Sequence, residues 1–266
     1  MITLAYSTIK SVRDSGITQA KMSDGEVSRL IQQYSRMITK LLNIWFVPVS
    51  QKPRFNGGGK LIKTNLPPIV KLIGVNIVNS DQSRTALDKL SYEAIGKIIR
   101  FEKRLLDGVR NVEVDAIFGE IENQKEVAVK ITSDIEENSE FFYVEDASEL
   151  EIRDIFIFDN KILIANSIDY ENNKVLIDKQ LNMKPIISGT ETVCFGQVPI
   201  DIEQAVNSLI KHHRVLSKQI GGKIKSEKTD DYEYELFQSG ELSTGVPEVD
   251  KILQNYLEGE LTIDFL

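Results

Sequence analysis

The residues of this chain with types suited to chemistry are two histidines, one cysteine, a glycine-lysine run and a few acidic pairs. His212 and His213 are adjacent in a helical stretch. Neighbours on a helix point about 100° apart, so the two rings cannot face one metal, and a surface or half-buried structural role is the expectation. Cys194 stands among apolar residues with no histidine nearby in sequence. A nucleophilic thiol needs an electropositive partner to ionise, so this one reads as packing. Gly57-Gly58-Gly59-Lys60 invites a phosphate-loop reading. Such a loop needs a glycine, a lysine and a hydroxyl residue in order at the mouth of a helix. Here Leu61 follows the lysine and Pro67-Pro68 forbids a helix, so a glycine hairpin tip is expected instead. Asp169 with Glu171, and Glu136 with Glu137, read as solvated turns. Carboxylates brought together from distant segments would not be visible in sequence. No catalytic, metal-binding or cofactor-binding residue is assigned, no cofactor is expected, and the chain is not read as an enzyme.

The elements that must position these residues are organised around residues 105–119, LLDGVRNVEVDAIFG. Asp107-Gly108 marks a turn. Val112, Val114, Ala116 and Phe118 then alternate with Asn111, Glu113, Asp115 and Ile117, the period of a strand with one face in a core. Before it, residues 1–22 form a polar lead-in where Ser7 is placed to cap a short turn through Val12. Ser23 and Glu26 have capping-box spacing, and Val27, Leu30, Ile31, Tyr34, Ile38, Leu41 and Leu42 make the stripe of a five-turn amphipathic helix. Strands are expected over 61–66 and 69–78. Residues 79–104 fit either a helix carrying Leu87, Leu90, Ile95, Ile98 and Ile99 or two strands turning at Gly96.

Residues 122–196 have another texture. Val127, Val129 and Ile131 alternate, Phe141 to Val144 reads as a strand, and residues 154–165 read as a hairpin turning at Asp159-Asn160. Asn172-Asn173 turns the chain into another strand. Short strands so closely spaced predict a small barrel or sandwich. A second helix follows Pro199, with Asp201 as its cap, Ile202, Ala205, Val206, Leu209, Ile210, His213 and Leu216 on one face, and Gly221-Gly222 as its stop. Residues 237–246 suit a mobile link. Val249, Ile252, Leu253, Tyr256 and Leu257 then recur at helical spacing.

With 266 residues, 41% of them hydrophobic, the chain can bury a large core or two small ones. The single cysteine rules out an intrachain disulfide and points to a reducing cytoplasm. The first 16 residues show no charged cap followed by a long apolar run, so no secretory signal is expected, and no run approaches the length of a membrane helix. A formal net charge of -8 excludes general attraction to phosphate, though not a local basic patch.

The order of these elements resembles the head–tail connector (adaptor, or head-completion) proteins of tailed bacteriophages. The family pattern of a first helix, an aromatic and proline step, a glycine hairpin and a Pro-Ile strand is matched by Trp45-Phe46-x-Pro48, Phe55-Asn56-Gly57-x-Gly59, Leu66 and Pro68-Ile69 through Val75. Its glycine, Asn-Val-x-Val strand and glycine are matched by Gly108, Asn111-Val112-Glu113-Val114 and Gly119. Val198-Pro199 with Ala205, then Ser226-Glu227 and Asp231-Tyr232-x-Tyr234, match its later part. The resemblance covers residues 7–121 and 197–236, and implies strands over 92–118. Residues 122–196 depart from it as an insert that looks like small β modules of phage structural proteins.

The resulting expectation is an α+β fold: a helical core with a small antiparallel sheet, plus an inserted all-β barrel-like module. Residues 1–121 and 197–246 would be the connector core, 122–196 the inserted β domain, and 247–266 a C-terminal docking arm. The resemblance implies a structural virion protein in a ring of about twelve copies beneath the portal. That ring would extend the DNA channel, help retain packaged DNA and connect head to tail. Implied partners are the portal protein, other copies of the chain, a tail or next neck ring protein, and genomic DNA passing without specific binding, with no membrane. The place would be the virion neck, and the host cytoplasm during assembly. Val249, Ile252, Leu253, Tyr256 and Leu257 would contact portal or a neighbouring subunit. The alternatives are a tail-terminator or other neck ring protein and, from another class, a virion-associated hydrolase or a carbohydrate-binding module.

Overall fold

The computed structural model describes residues 4–136, 139–158, 161–178, 185–220 and 244–261. The chain forms two compact units, one from Met1–Leu42 with Lys125–Leu266 and one from Asn43–Gln124. This division groups residues 125–196 with the helices.

The Asn43–Gln124 unit is built from strands. The longest, β4 (Ile69–Val78), pairs antiparallel with β8 (Val112–Phe118). On the other side of β8 lie β1 (Val49–Gln51) and β2 (Arg54–Phe55), and β5 (Arg84–Ala86) closes the far side of β4. A second sheet runs β3 (Leu61–Lys63), β7 (Ile98–Phe101), β6 (Tyr92–Ile95). The stretch that fitted helix or strand is thus a hairpin. Ile95 faces Ile98 across a turn at Gly96, whose φ of +57° suits glycine. Ile62, Ile69, Val75, Ile99, Phe101, Val112, Val114, Ala116 and Phe118 make one apolar cluster, with Trp45 and Phe55 packed against it. Every buried member of that cluster comes from a strand.

The other unit holds α1 (Ile9–Asp14), α2 (Asp24–Leu42), α3 (Ile200–Ile220) and α4 (Pro247–Leu261). Thr8, not Ser7, caps α1, its Oγ1 accepting from the Ser11 amide at 3.1 Å. Ser7 instead donates to Asn207 Oδ1 at 2.7 Å. Ser23 Oγ accepts from the Glu26 amide at 3.3 Å at the start of α2, whose Val27, Leu30, Ile31, Ile38 and Leu42 are buried. The strands are β9 (Val127–Lys130), β10 (Phe141–Tyr143), β11 (Asp154–Phe158), β12 (Lys161–Ile164), β13 (Ser167–Asp169), β14 (Lys174–Leu176) and β15 (Glu191–Gln197). They form two sheets, β12-β11-β15-β9 and β10-β14-β13, around Val129, Phe142, Phe156, Leu163, Val175 and Cys194.

The expected fold class needs correction. Among the described residues the chain is mostly antiparallel sheet, fifteen strands in four sheets, with four helices beside them and no closed barrel. A helical core fails because both sheet systems bury apolar clusters of their own. The inserted module is not a closed barrel, since its strands fall into two separate sheets, with β12 and β9 at the two ends of the larger one. The turn at Asp159-Asn160, the Gly221-Gly222 stop, the Ser226-Glu227 and Asp231-Tyr232 matches and residues 237–243 of the expected link lie outside the described residues.

Candidate interaction surfaces

At one end of the Asn43–Gln124 unit the glycine run meets the turn that precedes β8. The Gly57 amide donates to the Gly108 carbonyl at 3.0 Å and to Asn111 Oδ1 at 2.7 Å. Asn111 Nδ2 donates to the Leu106 carbonyl at 3.1 Å, the Leu105 amide to the Gly59 carbonyl at 3.0 Å, and the Arg110 amide to Asn56 Oδ1 at 2.8 Å. A Cβ at Gly57 would run into the Leu106 carbonyl oxygen, and Gly58 has φ +103°. Glycine is therefore required by close approach at the first position and by backbone conformation at the second. These bonds fix the tip through its backbone, and they leave Leu106 79% and Val109 84% exposed. Exposed Lys103, Arg104 and Arg110 neighbour them along the chain, as do Glu102 and Asp107, the last paired with Arg104 at 3.4 Å. The outer face of the β3-β7-β6 sheet continues this character. Leu61 and Ile95, each 60% exposed, share it with Lys63 and with Arg100, which pairs with Glu93 at 3.8 Å.

The strand read as having one polar face carries a buried acid that sequence reasoning missed. Glu113 is buried in β8. Arg84 Nε and Nη2 donate to it at 2.6 and 3.1 Å, and Arg54 Nε at 3.2 Å. The Arg84 hydrogen bonds hold its carboxyl below the usual carboxylate range, against the opposing effect of burial. Arg54 and Arg84 lie on strands flanking the β4-β8 pair, a pairing that local sequence does not reveal.

The residues first considered for chemistry have structural surroundings. The imidazole of His213 lies edge-on to Tyr34, with Nδ1 3.0 Å from the Tyr34 hydroxyl, which joins α3 to α2. Burial pushes Tyr34 up to about 12 and pushes His213 down. Cys194 is fully buried on β15, and burial, with the Asp154 carboxylate, pushes its thiol up to about 12. A thiol held so firmly protonated is a poor nucleophile. Asp154 itself is fully buried. It accepts from Lys125 Nζ at 2.8 Å and from the Glu151 amide at 2.7 Å. Asp169 is half-buried at the end of β13 and accepts from the amide and side chain of Asn172, in the turn that follows. Among the described residues no group of three or more His, Cys, Asp and Glu is placed to hold a metal ion. Among them, too, no helix is long and apolar enough to cross a membrane.

The five residues expected to contact a partner from the C-terminal helix lie on α4, which packs on α3 and α2 of its own unit. Val249 and Leu253 are 0% exposed, while Ile252, Tyr256 and Leu257 are half-buried. Asp250 accepts from the amide and hydroxyl of Thr244, both at 2.6 Å, and the Tyr256 hydroxyl donates to Asp201 at 2.7 Å. Two of the five anchors are thus already used within the chain, and three keep some surface.

A different surface lies on the β10-β14-β13 sheet. Phe141 and Leu176 face each other across the β10-β14 pair and are both partly exposed. Lys174 Nζ sits 3.8 Å from the Phe141 ring centroid, and Tyr143 meets Phe141 edge-on. β10 belongs to an acidic stretch of the sequence, though Glu145 pairs with Lys130 at 3.6 Å. Residues 131–152 contain eight Asp and Glu and no Lys or Arg. No protein-family model matches the chain, and no curated protein matches it.

Proposed function

We propose that this chain is a structural virion protein that forms a ring of about twelve copies beneath the portal. The ring connects the phage head to the tail, extends the DNA channel and helps retain packaged DNA. The observation that carries the reading is the tip of the Asn43–Gln124 unit. Hydrogen bonds and glycines immobilise a loop whose two large apolar side chains stand in water. Apolar side chains preorganised in solvent suit binding to another protein, because the ordering cost is met before association. The ordered motifs from Trp45 to Gly119 that resemble connectors belong to this same unit. The net charge of -8 suits a channel wall past which DNA slides, since like charge offers no grip on phosphate.

The test is native mass spectrometry of the full chain mixed with the portal protein of the same phage. The reading predicts one closed ring per portal. Assemblies carrying one or two copies would overturn it.

A further inference from the structure

The two compact units carry opposite charge. Residues 43–124 contain 12 Lys and Arg against 9 Asp and Glu, a net of +3. The remaining residues contain 20 Lys and Arg against 31 Asp and Glu, a net of -11. Each unit also exposes apolar side chains. Leu106 and Val109 stand on the positive unit, beside Lys103, Arg104 and Arg110 with Glu102 and Asp107 between, and Phe141 and Leu176 stand on the negative unit, with Lys174 over the Phe141 ring.

We propose that copies of this chain associate head to tail, the Leu106/Val109 tip of one copy seating on the Phe141/Leu176 face of a second copy. An apolar patch set in a charged surface is the anatomy of a specific interface, and here the two units that carry the patches have opposite net charge. Charge also selects the mode. Two tips brought together would set two net-positive units against each other, and two sheet faces would set two net-negative units against each other. Both two-fold pairings are repelled, which leaves the heterologous contact. Each bound pair then retains one free tip and one free face, so addition continues until the contacts close. The proposal deepens the ring reading above by naming its surfaces and the partner each one takes.

Sedimentation velocity of the full chain tests it, alone and without portal. The wild-type chain should self-associate at high concentration and low salt, and dissociate as salt is raised. Lys103→Glu with Arg104→Glu should weaken that association by about 100-fold or more, as should Glu140→Lys with Glu145→Lys in a separate chain. All four residues are exposed, so melting temperatures should not move. Mixing the two variants should restore assembly, because each reversed surface then meets an opposite one. Lys103→Gln with Arg104→Gln adds no repulsion and should flatten the salt dependence. A wild-type chain that stays monomeric, variants that associate like wild type, or a mixture that fails to recover would each overturn the proposal. A chain that never self-associates yet forms a ring on portal would overturn this contact and leave the ring reading standing.

Discussion

The tip at residues 105–110 and the helix α4 both carry large apolar side chains, and they treat them in opposite ways. On α4, Val249 and Leu253 are fully buried, and Tyr256 is tied to Asp201. At the tip, Leu106 and Val109 stand almost free of the protein. The difference lies in what holds the backbone. A helix of four turns is marginal in water and persists by burying its stripe. The tip is held by Asn56, Asn111 and the glycine run bonding to backbone groups, so its side chains are not needed for its own fold. Apolar side chains released from structural duty are available for a partner, and those of α4 are largely not.

Substitutions should expose this contrast most strongly at the buried end. Leu253→Ala removes a fully buried side chain and should cost about 2–5 kcal/mol, whereas Leu106→Ala should change stability by no more than about 0.5 kcal/mol. Chemical denaturation of both variants checks the pair. Equal losses would mean that the tip packs as α4 does. Gly57→Ala should be nearly as damaging, about 2 kcal/mol or more, because the added Cβ meets the Leu106 carbonyl oxygen. Gly74→Ala, with nothing within 4 Å of its Cβ, should be close to neutral. Hydrogen exchange at residues 105–111 should rise in the first variant and stay at the wild-type level in the second.

Two smaller effects depend on pH. Glu113 has a depressed pKa in the fold, so the unfolded chain binds more protons as pH falls. The stability from its arginine contacts is present above the ordinary carboxylate value of about 4.3 and is lost as pH drops through the depressed one. Glu113→Gln should reduce this acid slope in urea titrations, and an unchanged slope would argue that the arginine contacts contribute little. His213 is also depressed, here because its neutral form is the buried one. Stability is full above the unfolded value of about 6.5 and falls as pH descends from there toward the folded value. His213→Gln should flatten that segment in the same titrations.

What could be read in the sequence were elements whose periodicity is local. The stripe from Val27 to Leu42, the face from Ile202 to Ile210, and strands β4 and β8 stand where alternation or helical spacing placed them. The balance of helix to sheet was not legible. Residues 79–104 carry spacing that fits either element, and tertiary pairing between β6 and β7 decides it. Glu113 was assigned by alternation to a polar face, but Arg54 and Arg84 arrive on other strands and let it be buried. The tip was read only as a turn signal. Its exposure depends on Asn56 and Asn111 reaching across from separate loops, a relation over 54 residues.

The central claim is that Leu106 and Val109 serve binding rather than folding. Sedimentation velocity of the full chain carrying Leu106→Ser and Val109→Ser, with its melting temperature measured alongside, tests it most directly. The account predicts that the melting temperature stays at the wild-type value while the salt-sensitive association is lost. Association at wild-type strength, or a chain that melts many degrees early, would contradict it.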